Sequence, residues 1–212
     1  MAKIPQGILG GISGKIGGIV GSSWKGINVI KTKPLSVANP KTAGQVAQRN
    51  LFGNTVAFAV VILATIIKPL WDRFASRQSG FNAFIQANIT LFAATLPAFG
   101  TGFKLAQGKM AKTTLVIGAI AAADVEIAVS WTDDSGSGYK LATDVPYLLM
   151  INQTSGEVIA MSLGVTRNAE SDVFTTGAIF TEADVIDMYM VFRRVDGTIV
   201  SNTSSAQVSV GA

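Results

Sequence analysis

The chain has 212 residues, 49% of them apolar and only 14% charged, which is enough to bury a large core and too apolar for a disordered chain. It has no Cys and no His, which excludes thiolate and imidazole chemistry, disulfides, and the usual zinc, copper, haem and iron–sulfur ligands. The net charge of +4 hides a split: residues 1–123 carry 13 Lys/Arg against Asp72 alone (+12), whereas residues 124–212 carry 4 against 12 Asp/Glu (−8).

Residues 1–38 are basic and glycine-rich, with Ile at positions 4, 8, 12, 16 and 19. Each glycine inside a helix costs about 1 kcal/mol relative to alanine, so this density favours strands. The pattern predicts a β-arm with one strand at 15–20, a turn at 21–23 and a second strand at 24–31, where Ile27 and Val29 share a face. Gly14, Lys15, Trp24, Lys25, Ile27 and Lys31 form the candidate assembly arm. The glycines and Lys15 break the apolar stretch that a classical secretory signal needs, so the expected location is a virion or a cytoplasmic assembly.

Asn39 and Pro40 open a helical region. Pro40 suits a first turn, Thr42 and Gln45 have capping-box spacing, and either Asn39 or Thr42 can serve as N-cap. One helix is expected over 42–67, amphipathic at first and then apolar on every face over 55–67. Thirteen apolar residues are too few to span a bilayer, so a buried core helix is expected there. Pro69 is expected to break the chain, giving a second helix over 70–92 and an antiparallel hairpin in which Trp71, Phe74, Phe81 and Phe84 pack together. Lys41, Arg49, Lys68, Arg73 and Arg77 make a candidate basic helix face.

Residues 96–108, rich in Gly, Pro and Thr, are expected as a linker. Beyond them lie eight short β-rich runs, at 114–122, 125–132, 146–152, 157–164, 172–179, 184–195, 198–202 and 206–210, with turn clusters at 133–138, 154–156 and 196–197. This texture predicts an antiparallel sandwich, fibronectin-like or immunoglobulin-like without its disulfide, with a jelly roll as runner-up. Trp131 ends an alternating run and is expected in the core. The fold class is therefore α+β, divided as arm 1–38, helical hairpin 39–95, linker 96–108 and acidic sandwich 109–212.

Several short patterns fall short of a chemical site. Ser22 and Lys25 match Ser-x-x-Lys without its companion motifs, and Gly14-Lys15 lacks the rest of a phosphate loop. Asp133 and Asp134 lack the alternating carboxylates and terminal Glu of a calcium loop, so a solvated hairpin turn is the plainer reading. The basic residues are spread singly, unlike the concentrated surface of a nucleic-acid reader. No catalytic residue, cofactor or metal is expected.

The opening at 7–26 (GILGGISGKIGGIVGSSWKG), followed by NPKT at 39–42 and QVAQR at 45–49, resembles an uncharacterised family common in Bacteroidota and related phage-like sequences. The segments SGFN at 79–82 and WTDDSGSG at 131–138 resemble it too. The resemblance implies an arm, helices and a C-terminal sandwich, and brings no activity. The resulting expectation is a non-enzymatic structural protein forming an ordered homo-assembly, such as a virion or phage-like component, with the basic half of one copy docked on the acidic half of the next. Nonspecific nucleic-acid contact ranks second as a partner and a membrane third. The alternative is a surface-displayed adhesion module that recognises a glycan or protein through its sandwich.

Overall fold

The computed structural model describes residues 11–177 and 180–211, with the Trp24 side chain left out. It divides into two compact units, Met1–Thr42 and Ala43–Ala212.

In the first unit three strands, β1 (Gly14–Ile16), β2 (Ile19–Trp24) and β3 (Ile27–Thr32), form an antiparallel sheet in that order. Turns fall where the backbone needs positive φ. Gly17 (φ 55°) joins β1 to β2, while Lys25 (φ 48°) and Gly26 (φ 84°) connect the paired Trp24 and Ile27, as a type I′ hairpin turn requires. The expected strand 15–20 is therefore split at Gly17-Gly18. The expected turn 21–23 instead runs inside β2, because Ser22 and Ser23 pair with Val29 and Asn28.

The second unit opens with α1 (Ala43–Val61), which starts directly after Thr42 and leaves Asn39 outside the cap. At Ile62 (φ −96°, ψ 8°) the helix widens into one π-helical turn, Leu63–Ile67, and α2 (Lys68–Trp71) follows with Pro69 in its first turn. The two stretches are bent by 73°. The break thus lies at Ile62 and not at Pro69: the widened turn ahead of the proline puts it where no N–H is missed. The chain reverses over 72–79, and α3 (Gly80–Asn88) leads into a 3-10 turn, Ile89–Leu91. Ser79 caps α3 by accepting the Asn82 N–H at 3.3 Å. Gly80 donates its N–H to the Asp72 carboxylate at 3.0 Å, and Asp72 fills the space a Cβ would need.

Seven strands follow among the described residues: β4 (Leu115–Ile117), β5 (Glu126–Trp131), β6 (Val145–Asn152), β7 (Val158–Ser162), β8 (Ser171–Thr175), β9 (Val185–Arg193) and β10 (Ser204–Ser209). They make a three-stranded sheet, β4–β5–β8, and a four-stranded sheet, β10–β9–β6–β7, with antiparallel pairing throughout. This is a β-sandwich of seven strands, not an eight-stranded jelly roll. The expected strand 198–202 contributes only isolated bridges, Val200 to Arg193 and Ser201 to Met110.

The four-stranded sheet is covered on both faces. Leu148, Met150, Met188, Met190 and Phe192 point toward Ile127, Val129 and Trp131 of the smaller sheet. Their neighbours Leu149, Ile151, Tyr189 and Val191 point the other way, into a second core with Phe58, Ile62, Trp71, Phe84 and Phe92 of the helices. The unit therefore has three layers: helices, four strands, three strands. Phe74, expected in the aromatic core, is exposed instead.

The segment expected as a linker is a packed wall. Phe103, Leu105 and Ala106 are buried, Trp71 Nε1 donates to the Leu105 carbonyl at 2.8 Å, and Asn88 Oδ1 accepts the Lys104 N–H at 2.8 Å. Helices, wall and sandwich form one unit, so the expected divisions at 95 and 108 are not domain boundaries; the chain divides at 42, not at 38.

Candidate functional site

Cross-strand register brings part of the expected arm site together. Lys15 pairs with Val20, and Val20 pairs with Lys31, so both lysines and Val20 lie in one row across the sheet. Val29 and Ile27 continue that face along β3 by alternation. All six β3 residues are exposed, Ile27 at 60% and Ile30 at 61%. Among the described residues β3 has no pairing partner on its outer side, so a six-residue edge is open. Gly14 (φ 109°) begins β1 and Lys25 occupies the β2–β3 turn. Trp24 pairs through its backbone with Ile27; its side chain lies outside the described residues.

The residues of the expected basic helix face lie on separate elements and not on one helix. Lys41 (φ 47°) precedes α1 and belongs to the first unit, and only Arg49 lies on α1. Lys68 starts α2, beyond the 73° bend. Arg73 is tied to the Asp196 carbonyl at 3.1 Å, and Arg77 (φ 60°) sits in the reversal before α3. The bend at Ile62 separates Arg49 from Lys68, and Lys41, Arg73 and Arg77 lie outside the helices altogether, so no helical periodicity aligns the five.

The acidic half is partly consumed inside the sandwich. Arg167, fully buried, donates from Nη1 to Asp134 Oδ1 and to Thr113 Oγ1, each at 2.6 Å, and from Nη2 to Asp144 Oδ2 at 3.2 Å. Its guanidinium lies 3.8 Å from the Phe192 ring centroid, and its carbonyl accepts Trp131 Nε1–H at 2.7 Å. Lys140 also pairs with Asp134. Burial pulls the Asp134 carboxyl upward, but Lys140, Arg167 and Thr113 outweigh it and hold the group below the usual carboxylate range. Asp133 Oδ1 accepts the Ser135 N–H at 3.0 Å in a local turn, but 133–138 is not the expected solvated hairpin: β5 and β6 belong to different sheets, and Asp134 is held by Arg167 and Lys140. Among the described residues no three carboxylates gather as metal ligands would.

No sequence signal marked Arg167, because its partners at 113, 134 and 144 come from three separate segments. Asp184 and Asp187 are buried as well. Asp184 is lowered by the Thr181 N–H and by Asn152, whereas burial raises Asp187 despite hydrogen bonds from Gln207 and Gln153. Glu126, Glu170 and Glu182 remain exposed. Glu126 lies on the outer face of the three-stranded sheet with Val116 and Val173, which are 54% and 58% exposed; β8 is an outer strand of that sheet with no further pairing partner among the described residues.

A second surface had no signal in the sequence, because its residues come from separate segments. Tyr139, in the segment after β5, meets Phe74 from the helical layer across a groove of about 490 Å³ that Lys109 and Ile199 also line. Among the described residues no single helix is long and apolar enough to cross a membrane; α1 and the stretch after it reach that length only as a bent pair.

The model of a family of unknown function, DUF6266, matches residues 11–206. No curated protein sequence matches the chain. Similar solved structures include one titled "Myokine structure" (9% identity, TM-score 0.36, covering 49% of this chain and all of that one). The fibronectin type-III domain of human fibronectin type III domain containing protein 3 is 12% identical, with a TM-score of 0.34 and coverage of 50% of this chain and 88% of its own. The FN5 domain of Drosophila Lar is 10% identical, with a TM-score of 0.31, covering 49% and 97%.

Proposed function

The chain belongs to the DUF6266 family of unknown function, and we propose that it is a non-enzymatic structural subunit that builds an ordered homo-assembly. The observation that carries this reading is the arm sheet: β3 is exposed along its whole length, carries Ile27, Val29 and Ile30, and has an edge left unpaired among the described residues. Such a strand is a template for pairing with another chain. In the proposed contact, the Lys15–Val20–Lys31 row of one copy meets Glu126 and its neighbours on the three-stranded sheet of the next, and β3 extends the open β8 edge. The contact joins unlike surfaces, so repetition gives rings, tubes or filaments. A virion or phage-like particle is the setting proposed for it, with nonspecific nucleic-acid contact as a secondary role of the basic arm.

The experiment is light scattering coupled to size exclusion, with negative-stain microscopy, at low and high salt. The wild type is expected to form large species that Lys15→Glu with Lys31→Glu dissolves and that added Glu126→Lys partly restores. A monomer at every salt concentration would overturn the proposal.

A second reading, a binding module for a glycan or protein, is favoured by the Phe74–Tyr139 groove. A glycan array probed with the whole chain checks it. Signals that Phe74→Ala and Tyr139→Ala remove would support it, and a blank array would remove its glycan form.

A further inference from the structure

The sandwich is closed along one side and open along the other. On the closed side the chain flanking β4 and β10, end strands of the two sheets, is joined by the parallel bridges Met110–Ser201 and Ala121–Gly211, and the Ser204 hydroxyl donates to the Thr113 carbonyl. On the other side lie the opposite end strands, β7 and β8, and among the described residues neither has a further pairing partner. β7 runs between both cores: Val158 and Ala160 pack toward the helical one, Ile159 and Met161 toward the one between the sheets. The strand is half-buried at four of its five positions. Its free N–H and C=O groups thus sit at the margin of two apolar layers, where an added strand satisfies them.

The same chain holds a strand-like segment with nothing to pair with. Residues 33–42 have no secondary structure, and all of them are exposed. Leu35 is 107% exposed and Val37 77%, the two highest values among the large apolar residues described. In extended backbone these two share one side, and the small Ser36 and Ala38 share the other. Lys33 closes the arm sheet by donating its N–H to the Gly18 carbonyl at 2.7 Å, and beyond it the backbone of 35–38 makes no backbone hydrogen bond among the described residues. Pro34 and Pro40 bracket the segment, so the N–H groups that proline lacks fall outside it.

We infer that residues 35–38 of one copy add as a strand to the β7 edge of the next. This second contact rests on the arm contact proposed above, in which β3 extends β8 of the same neighbour. From Thr32, the end of β3, to Leu35 is three steps of chain, which reach about 10 Å, the spacing of stacked sheets. One chain therefore passes from the edge of the small sheet to the edge of the large one and closes the open side of its neighbour. Charge agrees with that path: Lys31 and Lys33 flank the crossing on one copy, and Glu157, just before β7, and Asp172, in β8, flank the open side of the other. Main-chain pairing supplies the affinity, and Leu35 and Val37 leave water for the margin of a core.

The test is disulfide mapping on the full chain, which has no Cys of its own, so an introduced pair reports one contact. Val37→Cys is combined in turn with Cys at 158, 159, 160 and 161, oxidised mildly and run on non-reducing gels. Paired strands bring Cβ atoms close enough to bridge only on a shared face. At least one combination should give a ladder of linked trimers and longer species, while each single-Cys variant stops at dimers. Leu35→Asp with Val37→Asp, which puts charge where water is excluded, should reduce the large species in light scattering about tenfold or more and leave the melting of the second unit unchanged. No ladder at any position, or a bridge formed only within monomers, would overturn the strand addition. If Lys15→Glu with Lys31→Glu still dissolves the large species in that case, the arm contact stands without it. A wild type that is monomeric at every salt concentration overturns both.

Discussion

β3 and β9 are both apolar-rich strands, and they meet opposite fates. β9 (VIDMYMVFR) is buried at its seven central positions, while β3 (INVIKT) is exposed at all six. Both sequences mix apolar and polar residues at strand spacing, so the strands themselves do not explain the difference. What separates them is cover: β9 has helices on one face and a second sheet on the other, whereas β3 has neither among the described residues of its own unit. Alternation tells which residues share a face, and only the rest of the fold tells whether that face is dry.

The contrast is sharpest in the cost of truncation. Phe84→Ala or Leu149→Ala, both at fully buried sites in the helical core, should cost about 3–5 kcal/mol in urea denaturation. A loss under about 1 kcal/mol would mean the helices do not seal the sheet. Arg167→Met should cost about 3 kcal/mol by stranding Asp144, and adding Asp144→Leu should recover part of that loss.

Acid provides a smaller effect. The folded Asp134 carboxyl titrates below its unfolded value near 3.8, so its stabilisation is present above that pH and is lost as pH falls through the folded value. Asp134→Asn should flatten that part of the acid profile in pH-dependent melting. Asp187 works with the opposite sign: its raised folded value makes stability fall as pH climbs from 3.8 through it, so Asp187→Asn should lose this decline.

The smallest effect on folding belongs to the arm. Ile30→Ser should change the stability of the second unit by less than about 0.5 kcal/mol while reducing assembly in light scattering. A large shift in melting would show that β3 is a core strand after all.

Local signals carried much of the sandwich. Expected runs at 125–132, 146–152, 157–164 and 184–195 differ from β5, β6, β7 and β9 by at most two residues at either end, because alternation and Gly/Asp turns are short-range. Trp131 was legible for the same reason. The family-like segments now have physical roles: Ser79 and Gly80 make the α3 cap against Asp72, and Trp131 and Asp134 hold Arg167. The linker was misread because Gly, Pro and Thr in 96–108 signal irregular backbone but not its burial, which depends on helices and strands distant in sequence. The change in charge near 124 likewise marks no structural boundary, since the division lies at 42. The arm site was half legible: Lys15 and Lys31 are found in one row, but that needed the register set by two glycine-containing turns.

The doubly covered sheet also limits how the molecule can be taken apart. A sandwich excised at 107 would carry Leu149, Ile151, Tyr189 and Val191 on a bare outer face, and helices excised at 95 would lose the floor they rest on. Neither piece is a module that could be shuffled, displayed or crystallised alone. The second unit holds together only as a whole, and the natural cut for any dissection lies ahead of Ala43, where the arm ends.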